Sequence, residues 1–276
     1  MKRDKALRWV LYIFLILFLL IYLSPLVLVV LNAFKRYDEI MTDVLALPQQ
    51  FTFENIQVVF ENMKYPAAFL NTLIVTVVGT LGIVVFGSMA GYKMARVKTR
   101  YSKICFMLCI TPMMIPFQSF MITLVKIAVG LNLTNSVWGL STIYWGLGTP
   151  MAIFLYQGFS KGIPTEIEEC AILDGCSQFR LFTSIIFPLL KSTTASVIVV
   201  NAMWLWNDFL LPLLIIGGSK NNKTLQLAAY GFMGQYKMEW QNIMAAAILI
   251  IIPALIIYLV FQKHIIKGMV AGAVKG

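Results

Sequence analysis

The chain has 276 residues, 59% of them hydrophobic and only 12% charged, with a formal net charge of +10. A soluble domain of this length has too little interior to hide so much apolar surface, which excludes an ordinary water-soluble enzyme and makes lipid the surrounding medium. The basic residues cluster beside the apolar runs rather than on one polar face, which indicates membrane orientation and argues against a nucleic-acid partner.

A hydrocarbon core about 30 Å thick takes about 20 apolar residues per helical span. Six such runs are read, at residues 9–31, 68–95, 104–125, 137–159, 189–216 and 243–262, giving an all-α integral membrane protein with six transmembrane helices. Lys2, Arg3, Lys5 and Arg8 precede the first run. Its apolar stretch is longer than the 7–15 residues of a signal-peptide h-region and no small-x-small site follows, so it is read as an uncleaved span. Residues 1–8 then form a cytoplasmic N-terminus and residues 32–67 an extracytoplasmic loop, broken by Pro48. The stretch from Phe53 to Phe60 reads as a short amphipathic helix near the surface.

The second run carries Gly79, Gly82, Gly87 and Gly91 beside Ser88 and Ala90, small residues that let helices approach closely in lipid, as static packing or as a moving contact. Arg96, Lys98, Arg100 and Lys103 fill the short loop after it. The third run contains Pro112 and Pro116, which remove backbone donors and predict a kink. Lys161, Arg180 and Lys191 flank the segment between the fourth and fifth runs, and Lys263, Lys267 and Lys275 follow the sixth. The outward segments carry fewer basic residues, so the positive-inside rule puts both termini and the 161–188 segment in the cytoplasm. The last outward loop, 217–241, offers Tyr230, Tyr236 and Trp240 as a rim.

The cytoplasmic segment is the most distinctive. Pro164 opens a helix in which Ile163, Ile167, Cys170 and Ala171 form one stripe, with Glu166 and Glu169 on another face. Asp174-Gly175 supplies a turn, glycine tolerating the positive φ that a helix end often needs. A second helix follows with a stripe of Phe179, Phe182, Ile185 and Ile186, ending at Pro188. The product is a compact knob with an apolar face and an acidic edge, suited to dock on a soluble protein or to rest on headgroups. Its acids disfavour the second reading because inner-leaflet headgroups are negative. Among the remaining residues, Asp208 is the carboxylate well inside a predicted span, flanked by Trp206 and Asn207. A charge there must face protein or water, so the three residues either line a solute path or brace the helix bundle. No CxxC or Cys/His cluster occurs among the four cysteines and His264, so no metal ligand and no catalytic residue is assigned.

Glu169-Cys170-Ala171-Ile172-Leu173-Asp174-Gly175, with Phe182, Ile185 and Pro188 downstream, resembles the EAA signature of ABC-importer permeases. Pro48-Gln49-Gln50-Phe51-Thr52-Phe53-Glu54-Asn55, Phe69-Leu70-Asn71-Thr72, Trp206-Asn207-Asp208-Phe209 and the ending from Lys267 to Gly276 are similar to the carbohydrate, maltose-type (MalG-like) branch. Cys170 replaces the usual alanine, small for small, and Ser192 stands where many members have proline. The resemblance implies a type I ABC importer transmembrane domain (MetI-like), with residues 68–262 as its core and 161–188 as the coupling segment. Glu169, Cys170, Ala171, Asp174, Gly175 and Phe182 would then meet an ATPase groove, and Gly272, Lys275 and Gly276 of the 263–276 tail would reach the ATPase dimer. It further implies a second homologous permease subunit forming a heterodimer, a dimer of ATPase subunits, an extracytoplasmic sugar-binding protein and surrounding membrane lipid. The chain has no GxxxxGK[ST] phosphate loop, so ATP and Mg are expected on the partner ATPase, with no cofactor bound here. The expected cargo is a sugar, most naturally an oligosaccharide. The rivals are the same machinery for glycerol phosphate or a polyamine, and a proton-coupled secondary carrier, which needs more intramembrane ionisable groups than Asp208.

Overall fold

A computed structural model describes residues 2–234 and 238–273, with side chains for 9–234 and 238–259. Among the described residues the regular structure is helical, apart from an isolated bridge between Met233 and Met238. It divides into two compact units, Met1–Tyr65 with Ala228–Pro253, and Pro66–Leu227 with Ala254–Gly276.

In the first unit α1 (Lys2–Ala33) is apolar all round from Trp9 onward, and none of its most hydrophobic stretch is buried, as suits a helix solvated by lipid. The loop after it is tightly ordered around α2 (Tyr37–Thr42) and α3 (Glu54–Asn62). The fully buried Lys35 donates through Nζ to the carbonyls of Asp43 (3.1 Å) and Val44 (3.2 Å). Asn55 donates to the carbonyls of Ala33 (2.9 Å) and Lys35 (2.8 Å), so the amphipathic α3 is pinned to the end of α1 by the polar residue on its buried side.

The second unit is built on α4 (Tyr65–Arg96), α5 (Arg100–Ile110), α6 (Phe117–Gly130) and α7 (Val137–Ser160). The glycines of α4 are there because neighbouring helices leave no room for a side chain. A Cβ at Gly87 would lie 2.4 Å from the Ala152 Cβ, and one at Gly91 would lie 2.7 Å from the Tyr156 Cβ. The Trp145 Nε1 donates to the Val78 carbonyl (2.9 Å), tying α7 to α4 by a bond that no water inside a bilayer can replace. The core runs through Ile83, Leu140, Tyr144 and Tyr156, all fully buried.

Two spans depart from the sequence reading. The kink expected in the third run is a full break, with Arg100–Met114 and Phe117–Gly130 bent by 108°. A proline disfavours helical geometry at the residue before it, and Ile115, preceding Pro116, is extended (φ −97°, ψ 123°). The fifth run is not continuous over 189–216. It is α11 (Lys191–Asn207), a break at Asp208-Phe209, and α12 (Leu210–Ile216). By length and hydropathy, Trp9–Ala33, Tyr65–Arg96 and Trp240–Leu259 can each cross a bilayer, as can Arg100–Met114 with Phe117–Gly130 and Gln178–Leu189 with Lys191–Asn207 if each bent pair is one span. The 24-residue α7 is long enough at 1.5 Å per residue, but its glycine, serine and threonine content lowers its hydropathy.

Candidate functional site

The segment after α7 folds as the turn chemistry dictates. Helix α8 (Glu166–Leu173) ends in a Schellman motif. The Cys176 N–H donates to the Ala171 carbonyl and the Gly175 N–H to the Ile172 carbonyl, both at 3.0 Å, with Gly175 at φ +77°. Ala171 is buried and Cys176 packs on the same core, the apolar contact that usually accompanies this cap. The chain then resumes in α9 (Gln178–Arg180), a π-helical turn over Leu181–Ile186, and α10 (Phe187–Leu189). Pro188 accounts for the widened turn, because its ring lacks an N–H and crowds the carbonyl four residues back. A 77° bend at Leu190 leads into α11.

What holds this knob is an ion pair reaching 72 residues back along the chain. Arg96, in the last turn of α4, pairs through Nε with Glu168 Oε1, and its Nη2 donates to the Ile163 carbonyl (2.9 Å). The Tyr92 hydroxyl donates to the other Glu168 oxygen (2.9 Å). The Arg96 guanidinium lies 5.8 Å from the centre of the Tyr92 ring, which packs in turn on Phe182 (5.5 Å between centroids). The Arg96 and Glu168 side chains are only 14% and 12% exposed, so the pair is shielded from water, and each charge depends on the other.

The residues singled out in sequence therefore divide. Ala171 faces the core and Phe182 is half-buried between Tyr92 and Phe187, both bracing the knob from inside. Glu169, Cys170, Asp174 and Gly175 are exposed. Three large apolar side chains turn outward beside them: Ile172, Leu173 (86% exposed) and Phe179 (72%). Sequence reasoning missed Arg96, Tyr92 and Glu168 as a cluster. The available signal was that Glu168 lies one turn before the buried Ala171, on the inner face of α8, where a lone carboxylate needs a cation.

Trp206, Asn207 and Asp208 do not converge. Trp206 is buried, edge-on to Phe69 (5.9 Å), and lines an apolar cavity of about 70 Å³. Asn207 is exposed and its amide donates back to the Met203 carbonyl (2.8 Å). Asp208 sits at the helix break, not inside a helical span. Its Oδ1 accepts from the Leu210 N–H (3.1 Å), starting α12, and its Oδ2 accepts from the Tyr144 hydroxyl of α7 (2.6 Å). Lys275 and Gly276 lie outside the described residues, and Gly272 falls in the backbone of the last helix, α13 (Trp240–Ala273).

A short helical knob, braced inward and apolar outward, thus adjoins helices long and apolar enough to cross a membrane. Residues 83–271 match the family described as the inner membrane component of binding-protein-dependent transport systems. The chain belongs to this family. End to end, this permease is 39% identical to the probable starch degradation products transport system permease protein AmyC of Thermoanaerobacterium thermosulfurigenes, over 276 residues and the whole of both chains. It is 35% identical to the multiple sugar-binding transport system permease protein MsmG of Streptococcus mutans, over 279 aligned residues covering both chains in full. It is 33% identical to the melibiose/raffinose/stachyose import permease protein MelC of Bacillus subtilis, over 83% of each chain. Its fold matches a chain from the crystal structure of a bacterial ABC transporter importing the acidic polysaccharide alginate, with a TM-score of 0.79 at 18% identity, covering 95% of this permease and 98% of that chain. The fold is that of a type I ABC importer transmembrane domain, and the chain is a multi-pass membrane permease subunit rather than an enzyme.

Proposed function

We propose that this permease forms half of the translocation path of an ATP-driven, binding-protein-dependent importer for oligosaccharides. The observation that carries the reading is the full-length similarity, at 39% and 35% identity, to permeases named for starch degradation products and multiple sugars. A second homologous permease supplies the other half, and an extracytoplasmic binding protein delivers the sugar. Both termini and the knob lie in the cytoplasm, following the distribution of basic residues. ATP and Mg are bound by a dimer of separate ATPase subunits, since the chain contains no phosphate loop.

In this mechanism the exposed Ile172, Leu173 and Phe179 seat in the ATPase groove, with Glu169 and Asp174 as polar contacts at its edge. Closure of the ATPase dimer displaces the knob, and the Arg96–Glu168–Tyr92 cluster passes that displacement to α4. Helix α4 is locked to α7 through Gly87 and Gly91, and α7 reaches the broken fifth span through Tyr144 and Asp208. The energy for switching comes from ATP and the partners, because only differential binding moves such an equilibrium. The Asp208 break, between two helices of one span, is the permease's own candidate for a path-lining element, and Gly272, Lys275 and Gly276 are candidates for a tail contact with the ATPase. Uptake of labelled maltodextrins and raffinose-type sugars by a strain lacking this subunit tests the assignment. Loss of uptake, restored by the wild-type gene, is expected. Unchanged sugar uptake with loss of glycerol phosphate or polyamine uptake would contradict it.

A further inference from the structure

Beside the Arg96–Glu168 pair lies a cavity of about 1020 Å³, formed by the end of α4, the 97–99 loop, α5, the end of α7 and the start of α8. Lys98, Lys103 and Lys161 line it and are exposed, with Glu166 the opposing charge. Arg96 also lines it, but its charge is met by Glu168. None of the three lysines has an ion-pair partner among the described residues. The deeper lining is apolar, with half-buried Met94, Phe106 and Ile110. Met107 belongs both to the cavity and to the outer side of α5, which exposes Tyr101, Ile104, Met107 and Leu108.

We propose that this cavity is a binding site for an anionic phospholipid. The lysines meet the headgroup phosphate, and the acyl chains run from Phe106 and Ile110 onto the apolar side of α5. Three features favour a lipid over a protein segment. The cavity combines a cationic opening with an apolar interior, which is the pattern of an anionic amphiphile. It is continuous with the exposed apolar side of α5, a surface that suits acyl chains. And the outward-facing Ile172, Leu173 and Phe179 of the knob are absent from its lining, which takes only the first residue of α8, Glu166. Because the site adjoins Arg96 and Ile163, an occupied cavity stiffens the junction of α4 and the knob.

The test uses the complete transporter, permeases with ATPase, purified in mild detergent and returned to phosphatidylcholine nanodiscs carrying a minor fraction of phosphatidylglycerol. Native mass spectrometry is expected to show phosphatidylglycerol retained on the wild type about 125-fold more than on the Lys98→Gln/Lys103→Gln/Lys161→Gln variant, roughly fivefold for each of the three charges removed. The corresponding triple arginine variant should retain the lipid. A photoactivatable phosphatidylglycerol analogue, used on the wild type so that no variant need fold, should label peptides within 94–110 or 157–166. Labelling confined to other peptides, or equal labelling by a phosphatidylcholine analogue, overturns the proposal. Thermal stabilisation by inorganic phosphate equal to that by phosphatidylglycerol would make it a free-phosphate site and also overturn it. Cross-linking of Lys103→Cys to the ATPase in place of lipid would reassign the cavity to the protein interface.

Discussion

At Glu168 both carboxylate oxygens are engaged, one by Arg96 and one by Tyr92, whereas Glu166 and Glu169 face solvent. That difference sets the consequences of substitution. Glu168→Gln keeps the shape but strands Arg96 in a largely buried place, and hydrogen bonds to a charged group contribute about 1.5–3 kcal/mol. It should lower the unfolding midpoint of the purified permease clearly more than Glu169→Gln does, and thermal unfolding in detergent measures both. Gly175 is legible from sequence alone, since Asp-Gly after an apolar helix forecasts a left-handed cap, and the structure places it at φ +77° with open space around it. Gly175→Ala should therefore cost about 1 kcal/mol through backbone conformation alone, with no steric clash. The Arg96 contact was not legible, because nothing in a single sequence links positions 72 apart.

The helices themselves were largely readable from their apolar runs, and their interruptions were not. Pro112 and Pro116 forecast distortion, but whether a helix kinks or breaks depends on what replaces the lost backbone bonds, here the extended Ile115. The fifth span breaks because Asp208 offers its carboxylate to the Leu210 N–H, an alternative to continuing the helix, and because Tyr144 on another helix satisfies its second oxygen. Tyr144→Phe removes that partner and should destabilise the packed unit by about 1 kcal/mol, the net worth of a part-buried hydrogen bond, with transport falling alongside. Thermal unfolding and uptake assays check the two effects. Gly87→Leu forces a side chain into the Ala152 Cβ, and overpacking of this kind costs about 1–3 kcal/mol. It should reduce the yield of folded permease in detergent, while Gly158→Ala on α7, with nothing near its Cβ position, should not.

For the whole molecule, the division of labour follows from what the chain contains and what it exposes. It has no phosphate loop, so the purified permease should neither retain nor hydrolyse ATP until the ATPase is added, which a phosphate-release assay decides. The sequence shows the knob, and its resemblance to importer permeases implies Phe182 among the residues that meet the ATPase groove. The fold turns Phe182 inward onto Tyr92 and leaves Leu173 and Phe179 outside, because the Schellman turn and the π-helical turn set which face of each short helix meets α4. The proposed coupling through that outward face is open to a direct test. With the four native cysteines replaced, Leu173→Cys can be probed with a membrane-impermeant maleimide added outside inverted vesicles, whose outer surface is the cytoplasmic face. Fast labelling of the permease alone and strong protection once the ATPase is assembled is the predicted result. Equal labelling in both states, with ATP-driven uptake intact, would contradict it.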